Sequence, residues 1–186
     1  KLNTYLEKPE KNSLFGIFDC ERDGNCLFHC LANSFNNLSN YTTDLDYQDI
    51  RNYISDHITE EMYEFAIYYY RSMNNSDDFT EEWNVDSVNN IEDFKKEIRI
   101  SGNNYWGDYI LILLIMKIYD INIYILNNDI SLYNMLNTYD KNKYTIFLYY
   151  ENYDHFQLIG YYKNHKMISH FQHSDIPIEL DRLINK

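Results

Sequence analysis

The stretch FDCERDGNCLFHCLANSF, residues 18–35, sets Cys26 at the seam between a tight polar turn and an apolar periodic run. A cysteine attacks as its thiolate, and two devices favour that form: a nearby imidazolium and the positive end of a helix. Leu27, Cys30, Leu31 and Ser34 recur at helical spacing, so a helix starting near Gly24 to Cys26 would hold the sulfur at such an end. The same turn aims backbone N–H groups at whatever sits beside the sulfur, as stabilisation of an oxyanion in acyl transfer requires. Gly24 lets the chain bend without a Cβ clash, and Asp23 is placed to brace the turn through its amides. A buried core thiol fits the same pattern, since free cysteine is among the most buried residue types. The pattern alone leaves both readings open.

A nucleophile also needs a base, and the chain has six histidines. His29 is so close to Cys26 in sequence that packing or solvation suits it better, and His57 lies on an amphipathic face. His155 stands between two apolar strand-like runs in YYENYDHFQLIGYY, where a strand end can be held rigidly against a helix start. His170 competes, because ISHFQH repeats the HFQ tripeptide in more polar surroundings that suggest an edge strand. The trio His165, His170 and His173 lacks a regular ligand spacing, so no metal is expected.

The elements that must position these residues fall into two blocks. Helices are expected from about Cys26 to Phe35, over DYQDIRNYISDHI behind an Asp46 cap, over 60–73 and over 87–99. A further helix, apolar nearly all round, follows the Asp108 cap and should be the buried central one. Beyond Asp120 the runs INIYIL, ISLYNML, YTIFLYY, FQLIGYY and KMISHF are short, rich in Ile, Tyr and Phe, and punctuated by Asn and Asp. They read as strands of a mostly antiparallel sheet, and helices followed by strands make the class α+β.

The 186 residues suit a single domain, with a core of about 15–162 and a polar N-terminal segment, 1–13, loosely attached. A net charge of −13 argues against nucleic acid and is compatible with a basic protein partner. Cys20, Cys26 and Cys30 crowd into eleven residues, which is no disulfide framework and favours a reducing, intracellular compartment such as the cytosol. The longest apolar run, YILILLIM, is too short to span a bilayer, and no signal-peptide core is present, so a soluble monomer is expected.

Three ordered blocks carry a family resemblance. DGNCLFHCLANSF resembles the cysteine motif of the ovarian tumour (OTU) family of deubiquitinating cysteine proteases. YWGDYILILLIMKIYDINIYIL resembles its Trp-Gly segment, helix and following strand, and YDHFQLIGYY its histidine strand. The resemblance spans roughly residues 15–162 and implies a papain-like fold, with a sheet flanked by helices and no cofactor or metal. It implies hydrolysis of isopeptide bonds of ubiquitin, polyubiquitin or ubiquitin-like conjugates. Cys26 would be the nucleophile and His155 the general base and then acid. Asp23 would be the motif's aspartate, and the backbone N–H groups of Asp23, Gly24, Asn25 and Cys26 would form the oxyanion hole.

One position departs from the pattern. Many members carry Asp or Asn two residues after the histidine to orient the ring, and here that residue is Gln157. Gln157 can accept a ring N–H bond but cannot stabilise imidazolium as a carboxylate does. Three arrangements follow: Gln157 as the orienter, an acid from elsewhere such as Asp19 or Asp154, or a working dyad. Two other functions stay open: an OTU-like module that captures ubiquitin without cleaving it, and a viral or pathogen polyprotein protease. Trp106 and Gly107 are read as a turn feeding the central helix, and Asp77, Asp78, Glu81 and Glu82 as a solvated face.

Overall fold

A computed structural model describes residues 14–38, 44–73, 84–102, 107–129, 131–133, 138–152 and 154–185. The expectations for the segment 1–13, for Trp106, and for Asp77, Asp78, Glu81 and Glu82 lie outside the described residues. The chain runs β1 (Phe15–Phe18), α1 (Cys26–Leu38), α2 (Tyr47–His57), α3 (Glu60–Met73), α4 (Ile91–Arg99), α5 (Tyr109–Tyr119) and β2 (Asn122–Leu126). It continues through β3 (Thr145–Glu151), β4 (His155–Lys163), β5 (Lys166–Ile168) and α6 (Ile178–Ile184), with short 3-10 turns at Val85–Ser87 and His173–Asp175.

The helix starts follow local capping chemistry. Asp46 and Asp49 form a reciprocal capping box ahead of α2, and Asn90 accepts from the Asp93 amide ahead of α4. Asp108 accepts from the Leu111 amide and opens α5, which ends at Asp120 in a left-handed conformation. Three helices then bury one face: Leu27, Cys30, Leu31 and Ser34 on α1, Ile50 and Ile54 on α2, Phe94 and Ile98 on α4, whereas α5 buries Ile110, Leu111, Ile112, Leu114, Ile115 and Met116, nearly all round. On α2, Tyr53 and His57 depart from the expected inward face and stack on each other at the surface, their ring centroids 4.0 Å apart.

The sheet order is β1-β4-β3-β2, with β5 also pairing β4. The pairings β1–β4, β3–β4 and β4–β5 are antiparallel, while β2 and β3 are parallel. The expected strand at 130–136 contributes only an isolated bridge, Leu126 to Leu132, among its described residues. The sequence reading did not include β1 or α6, because four residues of FGIF and seven of IELDRLI are too short for a clear period. A large core joins α1–α5 to one face of the sheet, and a smaller cluster around Phe147, Phe171 and Leu180 covers the other. No helix among the described residues is long and apolar enough to cross a membrane.

Candidate active site

β4 is the central scaffold of the site. His155 is its first residue, and in an extended strand residues two apart share a face, so His155 and Gln157 project together. β1 runs antiparallel beside it with Phe18 opposite Leu158, which carries the next residue, Asp19, past that same face. The Asp19 carboxylate therefore meets both side chains: Oδ1 lies 3.3 Å from His155 Nε2 and accepts from Gln157 Nε2 at 3.0 Å. Of the three arrangements left open by sequence, the ring meets the acid from elsewhere. Gln157 reaches Asp19 rather than the imidazole. Asp154 points away and pairs with Arg22 at 3.3 Å. The Gln157 amide holds the Asp19 carboxyl below its ordinary value; partial burial opposes this, and His155 and Arg22 reinforce it.

Cys26 is the first residue of α1 and half-buried. The backbone N–H of Phe156, the residue next to His155, donates to Cys26 Sγ at 3.4 Å. The chemistry-bearing ends of α1 and β4 are thus in contact, as the nucleophile reading needs. Burial pushes the Cys26 thiol up, the Phe156 and Leu27 amides pull it back, and Cys20 and Asp23 add to the rise. The net shift is upward, against the expectation that the helix terminus would favour the thiolate: desolvation outweighs the pull of the two amides. The neighbouring thiols are buried and free, with Cys20 Sγ 3.4 Å from Cys30 Sγ, and Cys30 Sγ donates to the Phe156 carbonyl at 3.5 Å.

The turn before Cys26 corrects one further expectation. Asp23 turns its carboxylate onto the turn itself. Its Oδ1 accepts from the Asn25 amide at 2.9 Å, while its Oδ2 meets Asn25 Nδ2 and His29 Nε2, both at 3.2 Å. Burial alone would raise the Asp23 carboxyl, but these hydrogen bonds outweigh it and leave it below its ordinary value. Asp23 is a brace, and the Asn25 amide, engaged with it, is lost to the expected oxyanion hole. The amides of Gly24 and Cys26 make no hydrogen bond among the described residues. Gly24 has φ +79°, a left-handed conformation that turns the backbone here and favours glycine.

The surrounding elements fix this turn. Gly107 packs so closely on α1 that a Cβ there would stand 2.6 Å from Leu27 Cβ. Asp108 caps α5 and also accepts from the Tyr70 hydroxyl at 2.8 Å; burial raises its carboxyl to about 6. Glu21, Asp23 and His29 present ligand atoms within 4.8 Å of one another, a grouping that the Asp23–His29 hydrogen bond already accounts for. His165, His170 and His173 do not converge: His173 meets the Tyr139 hydroxyl, and His170, buried rather than on a polar edge, packs edge-on against Tyr144. Sequence reasoning missed Asn25 as a structural side chain and Arg51 altogether. Arg51 is fully buried, and the interruption of an apolar α2 face by arginine was the available signal.

Comparison with known proteins bears on the fold. The sequence profile of the family described as OTU-like cysteine protease matches residues 21–173. Among curated proteins none matches the chain in sequence. Among solved structures, an ovarian tumour (OTU) domain in complex with ubiquitin aligns at 17% identity and TM-score 0.55, covering 91% of this chain and 80% of that one. An OTU deubiquitinase from Wolbachia pipientis wMel aligns at 13% identity and TM-score 0.50, covering 94% of this chain and 99% of that one. At such identities the likeness is one of fold.

Proposed function

The chain belongs to the family of OTU-like cysteine proteases, and from that premise we propose that it hydrolyses the amide bond between the C-terminus of ubiquitin and a lysine side chain. The observation that carries the reading is the meeting of Cys26, β4 and Asp19. Phe156 N–H touches the sulfur, and His155 Nε2 faces a carboxylate. With Nε2 donating to Asp19, the other ring nitrogen, Nδ1, is the one left to take the proton from Cys26.

His155 acts as base, and the thiolate attacks the carbonyl carbon at the ubiquitin C-terminus. The amides of Gly24 and Cys26 receive the oxyanion, and Asp19 stabilises the imidazolium that has formed. His155 then returns its proton to the departing lysine nitrogen, leaving ubiquitin on Cys26 as a thioester. Water, deprotonated by the same ring, releases it. A half-buried thiol with a raised pKa fits a sulfur that is deprotonated during attack rather than stored as thiolate.

The reading of a binder without turnover arose from Gln157, and Asp19 removes its motive by supplying a carboxylate. The charge of −13 suits a basic partner face, and a nucleophile beside two free thiols suits a reducing compartment such as the cytosol. The decisive experiment uses ubiquitin bearing a C-terminal electrophile. Covalent labelling should vanish in Cys26→Ala and persist in Cys20→Ala and Cys30→Ala. Labelling that survives Cys26→Ala refutes the assignment.

A further inference from the structure

Arg51 lies on α2, twenty-five residues beyond the nucleophile, and no surface of it is exposed. Arginine is almost never fully buried unless its donors are matched, because its charge is costly to remove from water. Its donors converge on the turn before Cys26. Nε donates to Asn25 Oδ1 at 2.9 Å and Nη2 to the Gly24 carbonyl at 3.4 Å. Nη1 reaches the Ile98 carbonyl at the end of α4, at 2.9 Å, and Nη2 also reaches the Gly102 carbonyl at 3.5 Å. The guanidinium carbon sits 3.9 Å over the Phe28 ring of α1.

Asn25 completes the linkage. It is 3% exposed, and its Oδ1 accepts a second bond from the Gly102 amide at 3.1 Å, while Nδ2 donates to Asp23. A continuous chain of bonds thus runs from α4 and the Gly102 turn, through Arg51 and Asn25, to the segment Asp23–Cys26. We propose that Arg51 is a positioning residue for acyl transfer: acting through Asn25, it fixes the turn whose amides receive the oxyanion. The inference rests on the reading of the site as a thiol hydrolase of ubiquitin amides. Oxyanion donors work only when held in place beforehand, and a displacement of ~1 Å can lower a rate by ~100-fold. Apolar residues of similar volume would fill this space without a desolvation penalty, and lysine would lack the planar fork that reaches several carbonyls at once.

The test compares wild type, Arg51→Lys and Asn25→Ala on ubiquitin carrying a fluorogenic amide at its C-terminus. Alkylation of Cys26 by iodoacetamide is measured in parallel, because that displacement forms no oxyanion. Both variants should lose ~30- to 100-fold in kcat, keep KM within ~threefold and keep the alkylation rate within ~twofold. Retention of kcat within ~threefold in a folded variant overturns the proposal, as does a fall in alkylation that matches the fall in kcat. Should Arg51→Lys fail to melt cooperatively, Asn25→Ala decides alone, since it cuts the link but leaves the guanidinium its carbonyls and Phe28. A folded wild type inert toward this substrate refutes the ubiquitin reading and the proposal with it; wild-type turnover with unimpaired variants refutes the proposal only.

Discussion

Replacing Asp19 by asparagine removes the charge facing His155 while keeping an oxygen of the same shape. Charges separated by the observed 3.3 Å attract by ~1.3 kcal/mol at the dielectric constant of water and by ~5 kcal/mol at an effective value of ~20. The His155 side chain is 2% exposed but that of Asp19 is 57% exposed, so solvent screening draws the pair toward the lower figure, ~1–2 kcal/mol. That attraction exists only while the ring carries the proton taken from Cys26, so its loss appears in the attack step. Asp19→Asn should therefore lower kcat by ~5- to 30-fold on a ubiquitin amide. A larger collapse is not expected, because Gln157 Nε2 donates to the same oxygen at 3.0 Å and would keep the asparagine oxygen turned toward the ring. The wild-type advantage should also shrink as salt is raised, since the carboxylate is exposed. An unchanged kcat refutes the role of the carboxylate. A Gln157→Ala variant far more damaging than Asp19→Asn would mean that the ring leans on Gln157 directly.

Two other outcomes follow from the direction of pKa shifts. Burial raises the Cys26 thiol above the ordinary cysteine value, so the rate of iodoacetamide alkylation in free enzyme should still be climbing at pH 8–9; a plateau below about pH 7 would reveal a stored thiolate instead. Burial likewise raises the Asp108 carboxyl from 3.8 to about 6. The folded state then binds this proton more tightly than the unfolded state, so the associated stability is full below about pH 4 and is lost as pH rises through about 6. Asp108→Asn keeps a capping oxygen without titrating, and should gain on wild type by up to ~3 kcal/mol between pH 4 and pH 7 in urea unfolding. A pH-independent difference between the two proteins refutes this.

The sequence by itself determined what local chemistry controls. Asp46 and Asp108 cap helices because a side-chain oxygen needs only the amides two or three residues on. Cys26 opens α1 and His155 opens β4 because each stands where a polar turn gives way to a run of one period. The family resemblance joined those two points across the length of the chain. The tertiary structure decided everything that depends on which strands lie side by side. Asp19 faces His155 only because β1, too short to show a period, pairs with β4 in the register that sets Phe18 against Leu158. Arg51 meets Asn25 only because α2 folds back over the start of α1. The Cys26 thiol is raised rather than lowered because desolvation depends on all the atoms packed around it, a quantity no stretch of sequence contains.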